Sequence, residues 1–242
     1  MTQIAHKITH HYQPTNHSCS QTALAILLSF FGKDVSPQQI IDKIPVHKYD
    51  NGDDWGTINQ DLATWCLSLG FKVEMHTADF QIIDLSWAKL DKNDLLKHME
   101  AAKSHRNVPS LGKESSAMYM QSYIDFVQAG GTLKIHDYMT TDLIDKLLAA
   151  SPLLLCVSTS VFNGVGRRST SGLRQTKEDD LYGSTGNHSV VVYGKNKHGN
   201  YLLADPFNKP GLRSIEPERL ISAMTASQIE CDNLFFQLSL SK

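Results

Sequence analysis

The sequence predicts an α+β fold. Helix-length apolar patterns fill the first half of the chain, and short strand-type runs fill the second. Turn signals, rather than helices, join the later runs, as in antiparallel hairpins. With 242 residues, 41% of them hydrophobic and 20% charged, the chain supports a sizeable core and is not mainly disordered. A net charge of −2 argues against nucleic acid as a partner, which calls for a basic face. No run approaches the ~18–20 apolar residues of a membrane span, and the N-terminal segment has no signal-type apolar stretch. A cytoplasmic location is therefore expected, and oligomeric state is left open.

Each element has its own signal. Residues 19–31, CSQTALAILLSFF, are apolar on nearly every side, as a buried central helix requires. Ser18 is the expected N-cap, with Gln21 completing a capping box, and Gly32 suits the left-handed position that ends the helix. Ser36, Pro37 and Pro45 bracket a second helix. Thr57–Leu69 forms a third, with Ile58, Leu62, Trp65, Cys66 and Leu69 on one stripe and Gly70 as its stop. Phe71–His76 alternates as a strand does. Two amphipathic helices are expected at about 93–103 and 116–129, with Gly130-Gly131 as a helix stop. A short strand and a helix at 142–150 then lead to Leu153–Ser158, an apolar run of the kind covered on both faces. Ser189–Tyr193, Tyr201–Ala204 and Leu234–Leu240 complete the strands. Residues 159–187, rich in Ser, Gly, Arg and Asp, read as a long loop, either a lid over a cleft or a surface excursion.

The chemistry gathers around Cys19. A thiol in the first turn of a helix meets the positive end of the macrodipole and unpaired N–H groups, which favour thiolate. Gln13, six residues upstream in YQPTNHSC, lies where a turn would bring its amide back over the helix start as an oxyanion donor. In GNHSVVVYGKNKHGNYLLADPF, two strands flank a turn. Pairing Gly194 with Gly199 sets His188 opposite Asp205, whereas a one-residue slip would part them. Nucleophile, base and orienter then follow in the order Cys19, His188, Asp205.

These residues resemble the bacteriocin-leader, double-glycine cysteine peptidases of the papain-like superfamily. The likeness rests on Gln13 before Cys19, the apolar helix, His188-Ser-Val-Val-Val-Tyr-Gly194, Asp205-Pro206, and Asp142-Leu143-Ile144 through Pro152-Leu-Leu-Leu. It covers roughly residues 10–75 and 135–210. The resemblance implies a papain-like fold in which a central helix packs on an antiparallel sheet. It also implies Cys19 as nucleophile, His188 as base, Asp205 as third member and Gln13 as oxyanion donor. The chain is then a single domain, 1–242, with a helical insertion at 85–130, acting on a peptide or protein. Amidase or acyltransferase chemistry on the same triad, and a peptide-binding module without catalysis, are the alternatives. Ser20 stands where many relatives have Gly or Ala, and the exporter and ATPase segments of the best-known relatives are absent.

Other residues have plainer readings. His10, His11, His17 and Cys19 crowd one segment, but a helix-start thiol beside Gln13 explains it without a metal, and no cofactor is expected. Cys66 and Cys156 read as small core residues, and Cys231 is unassigned. Asp53-Asp54-Trp55-Gly56-Thr57 reads as an N-cap with a tight turn, or as one lip of a cleft. His47, His76, His98, His105 and His136 show no partner in the sequence, and His198, across the hairpin from His188, is expected to point to its other end.

Overall fold

The computed structural model describes residues 4–44, 46–48, 54–109, 112–171, 175–183, 185–227 and 233–240. In chain order its elements are β1 (Ile4–Ala5), α1 (Cys19–Phe30), α2 (Pro37–Ile41), β2 (His47–Lys48), β3 (Asp54–Gly56), α3 (Asn59–Ser68) and β4 (Phe71–Thr77). A 3₁₀ turn (Leu85–Lys89) precedes α4 (Lys92–Lys103), α5 (Gly112–Gln128), β5 (Thr132–Ile135), α6 (Thr141–Leu148) and β6 (Leu153–Ser158). The rest comprises α7 (Thr159–Asn163), β7 (Arg168–Ser171), β8 (Gln175–Glu178), β9 (Asn187–Lys195), β10 (Tyr201–Ala204), β11 (Leu212–Ile215), α8 (Pro217–Ala226) and β12 (Leu234–Leu240).

One sheet organises the molecule, in the order β11-β10-β9-β6-β12-β4-β5, with β1 paired to the end of β9. Its pairings are antiparallel except for β4 with β5. Alternate side chains of each strand enter two separate cores, as the period of two demands. Leu154, Val191, Ala204 and Phe236 meet α1, α3 and α5 on one face. Leu153, Leu155, Val190, Val192, Leu203 and Phe235 meet α6 and α8 on the other. All six residues of β6 are buried, as its unbroken apolar run foretells. This is the α+β class read from the sequence, with a central helix lying on an antiparallel sheet.

α1 is buried from Ser20 to Leu28. It ends as expected, with Gly32 at φ 71°, a conformation that costs glycine nothing. The Ser36–Gln39 capping box of α2 forms in full. At the end of α5, the Gly131 N–H returns to the Phe126 carbonyl, which makes the diglycine a helix stop.

The structure corrects several expectations. Residues 159–187 are not one open loop, because α7 and the β7–β8 hairpin lie within them. The segment at 54–56 is a short strand paired with β2, and α3 starts from Ile58 without a side-chain cap, so no aspartate caps it. β11 and α8, absent from the sequence reading, add the edge strand beside β10 and a helix on the second core. His76 and His136 are partners, with Nδ1 and Nε2 2.8 Å apart. His47 meets Asp61 at 3.2 Å. Cys231 and Asp53 fall outside the described residues. No helix among the described residues is long and apolar enough to cross a membrane.

Candidate active site

Cys19 opens α1, half-buried beside His188 and Ser189 at the start of β9. The expected capping box is not formed there. The Ser18 hydroxyl is taken by the Thr15 N–H at 3.1 Å and the Thr15 hydroxyl at 2.9 Å. Gln21 turns away and donates to Thr57 Oγ1 and to the Ile44 carbonyl. A tight turn has outcompeted the helix for Ser18, so the first turn of α1 has no side-chain cap. Its leading N–H groups, with the positive end of the macrodipole, stay aimed at the space beside the sulfur.

His188 sits near the start of β9 and Asp205 just past the end of β10. The His188 Nε2–H donates to Asp205 Oδ1 at 2.8 Å, with the carboxylate fully buried and the imidazole nearly so. The register that produces this contact differs from the predicted one. The turn closes further along the chain, with the Asn196 N–H on the Asn200 carbonyl, so Tyr201 pairs with Lys195 and Leu202 with Gly194. Continued without interruption, that register would place Asp205 on the opposite face from His188. A bulge intervenes: Leu203 pairs with Val192, leaving Tyr193 as the extra residue on β9. The bulge restores the parity, and His188 and Asp205 share a face as a diagonal pair rather than an opposed one.

The Asp205 carboxylate is saturated with donors. Oδ1 also accepts from the Phe207 N–H at 2.9 Å and the Asn208 N–H at 3.1 Å, an Asx turn built by Asp-Pro-Phe-Asn. Oδ2 accepts from Asn208 Nδ2 and Arg213 Nη2, each at 2.9 Å. Burial alone would raise this carboxyl's pKa, but His188 and these donors hold it well below the usual carboxylate range. His188 moves the other way. Burial disfavours its charged form, yet Asp205 and Cys19 outweigh burial and push it up to about 9. The Cys19 thiol is lowered: burial opposes ionisation, but a hydrogen bond and charge from His188, the Ser189 N–H and the Ser20 hydroxyl overcome it. The three shifts agree on where the proton rests, which is on the imidazole.

Gln13 lies on the segment leading into α1, and its backbone N–H reaches the Pro206 carbonyl at 2.9 Å. Its side-chain amide donates to the Thr15 and Asn16 carbonyls at 2.7 and 3.0 Å, while Oε1 is buried without a partner. Its donors thus face its own loop. The Phe207 ring stands edge-on to the His188 ring, centroids 6.3 Å apart, and is more than half exposed.

Several contributors went unrecognised in the sequence. His10 Nε2–H donates to the Asp205 carbonyl at 2.8 Å. Behind the thiol, Ser20 Oγ lies 3.9 Å from the sulfur and 2.8 Å from Ser189 Oγ, which in turn lies 3.5 Å from the Cys156 sulfur. Asn208 had a local signal in its spacing from Asp205, whereas Arg213 had none.

No protein-family model matches the sequence, and no curated protein matches it. Solved structures do resemble it. A crystal structure assigned to a C39-like peptidase from Bacillus anthracis superposes with a TM-score of 0.51, covering 100% of both chains at 10% identity. The peptidase domain of Streptococcus ComA, a bi-functional ABC transporter of a quorum-sensing pathway, gives 0.42 over 98% of this chain and 99% of that one, at 12% identity. The first of these likenesses identifies the fold as that of the C39-like peptidases, the papain-like arrangement that the sequence resemblance implied.

Proposed function

We propose that this chain is a cysteine peptidase that cleaves peptide bonds through a thioester on Cys19. The observation that carries the reading is His188 held between a buried aspartate and a helix-start thiol, with the proton favoured on the imidazole. Asp205 occupies Nε2, which leaves Nδ1 for the sulfur and fixes the ring's orientation. The fold shared with a C39-like peptidase supports the reading.

The thiolate attacks the scissile carbonyl carbon, forming a C–S bond and placing the displaced electron pair on oxygen. The uncapped first turn of α1 offers the Cys19 N–H to that oxyanion. Gln13 serves as the second donor by exchanging one of its loop carbonyls for the substrate oxygen. Collapse breaks the C–N bond, and the departing amine takes the proton from His188. His188 then accepts a proton from water as it attacks the thioester, releasing a carboxylic acid and restoring the thiolate and imidazolium.

Digestion of a mixed peptide library, read by mass spectrometry, tests this. Wild type should produce new termini and Cys19→Ala none, and hydroxylamine should divert the thioester to a hydroxamate. Equal cleavage by Cys19→Ala would refute the proposal. An amine adduct in place of the acid would assign the site to acyl transfer.

A further inference from the structure

We infer that Arg213 is a positioning residue of the site, clamping the outer oxygen of Asp205 so that the inner one stays on His188. The inference rests on the Cys19–His188–Asp205 reading and adds a fourth member to it.

The carboxylate of Asp205 divides its partners unequally. Oδ1 holds the imidazole and two backbone N–H groups, whereas Oδ2 holds only Asn208 Nδ2 and Arg213 Nη2. Arg213 is the one fixed positive charge among these partners. Its own placement is built from two elements, β11 and α7. It stands on β11 directly across from Leu203, two residues before Asp205. The same Nη2 donates to Asn163 Oδ1 at 2.9 Å, and the guanidinium carbon lies 4.0 Å from the centre of the Phe162 ring. Asn163 closes α7, so a helix end, an edge strand and a stacked ring hold the fork in place.

This position also gives the guanidinium a graded influence. It lies at the wall of a cleft of about 310 Å³, lined by Phe162, Asn163, Asn200, Glu216 and Arg219 as well. With its side chain 27% exposed, water screens its charge on that side. It can therefore orient the buried carboxylate without cancelling the negative charge that stabilises the imidazolium. Arginine and imidazolium share one anion and compete for it. The other charged or titratable groups about this pair are Cys19 on α1, His10 at the Asp205 carbonyl, and Glu216 and Arg219 across the cleft.

Removing the guanidinium should then leave more of the carboxylate's charge to His188 while freeing its geometry. Arg213→Gln should move the alkaline limb of kcat/KM for peptide hydrolysis upward by about one pH unit, as loss of a nearby competing cation requires. In peptide hydrolysis, kcat should fall roughly 10-fold with KM within about twofold, the pattern of misorientation rather than lost binding. Arg213→Lys keeps a charge but loses the planar group that lies over the Phe162 ring, so the pH profile should return while kcat recovers only in part. Asn163→Ala, which loosens the guanidinium without touching Asp205, should give a smaller shift in the same direction and covers the case of an unfolded Arg213→Gln. The measurement is kcat/KM for peptide hydrolysis against pH, with iodoacetamide incorporation at Cys19 reporting the thiol and circular dichroism as the check on folding. A wild type with an acid-shifted thiol and variants whose profiles superimpose on it would overturn the inference alone. A wild-type Cys19 that titrates as an ordinary thiol would overturn the underlying reading as well.

Discussion

Asp205→Asn separates this site from any in which an amide could serve equally well as the third member. The aspartate offers two acceptor oxygens to five donors, three at Oδ1 and two at Oδ2. An asparagine has one. If its oxygen takes the Oδ1 position, His188, Phe207 and Asn208 keep their bonds, but its NH₂ group then faces the Asn208 amide and the Arg213 guanidinium. If it flips, the NH₂ group faces three donors instead. The first orientation prevails. The Asn208 amide can rotate to accept, but the guanidinium cannot. One unanswered guanidinium and the loss of charge-assisted bonds inside a fully buried position should cost about 2–4 kcal/mol. Chemistry suffers separately, because the imidazolium loses its counter-charge and the pKa of His188 must fall from about 9. Urea unfolding measures the first effect, and the pH dependence of Cys19 alkylation measures the second, with an expected loss of at least about 10-fold near pH 6. An unfolding free energy within about 0.5 kcal/mol of wild type, together with an unchanged alkylation profile, would refute the donor count as the explanation.

Further outcomes follow from the same geometry. The kcat/KM profile should be bell-shaped, rising as Cys19 ionises below the ordinary thiol range and falling as His188 deprotonates near pH 9. Folding stability should follow the signs of the shifts. The raised His188 contributes fully below its unfolded pKa of about 6.5 and is lost as pH climbs through about 9, while the lowered Asp205 contributes above about pH 4 and is lost in acid. Stability measured by denaturant titration across pH should therefore decline at both ends. Iodoacetamide should label Cys19 in the native protein and spare buried Cys66, whose thiol burial pushes far up. Peptide mapping checks that selectivity. Ser20→Ala removes one hydroxyl that lowers the thiol and should shift the acid limb of alkylation upward by a few tenths of a pH unit, a loss of under ~1 kcal/mol. Gly194→Ala would drive a Cβ into the Ile4 carbonyl oxygen, so β1 must move. It should cost about 1–3 kcal/mol in thermal unfolding.

Much of the site was legible because its signals are local. A helix with no polar face, a glycine stop, and a strand-turn-strand ending in Asp-Pro each depend on a few neighbouring residues. Strand length and composition likewise marked β6 as covered on both faces, and all six of its residues are buried. What escaped depended on distant partners. Ser18 and Gln21 have the spacing of a capping box, but a box forms only if nothing else claims them, and here Thr15 and Thr57 do. The hairpin register hinged on Tyr193, whose status as an extra residue has no composition signature. Arg213 sits in a short strand where a charged residue ordinarily faces water. Its role became visible only once the sheet order placed β11 beside β10 and α7 behind it. α8 did carry a readable signal, with Pro217 at its first turn and Leu220, Ala223 and Met224 along one buried stripe.

The distance between Cys19 and Asp205 is set by more than the packing of α1 on the sheet. A helix sliding on apolar side chains shifts by fractions of an ångström at little cost, yet a misplacement of about 1 Å can lower a rate 100-fold. The chain solves this with its N-terminal segment. Ile4 and Ala5 pair with Lys195 and Gly194, where only a glycine permits so close an approach. From there the segment runs across the loop that follows Asp205. The His10 ring meets the Asp205 carbonyl, the Tyr12 hydroxyl accepts from the Gly211 N–H at 3.2 Å, and the Gln13 N–H meets the Pro206 carbonyl. Six residues later the chain reaches Cys19. The thiol is thus tied to the aspartate loop by a short run of directional hydrogen bonds, in addition to the Ser20–Ser189 bond that joins α1 to β9. Residues outside the proposed chemistry, from Ile4 to Tyr12, therefore bear on how well the sulfur, the imidazole and the carboxylate align.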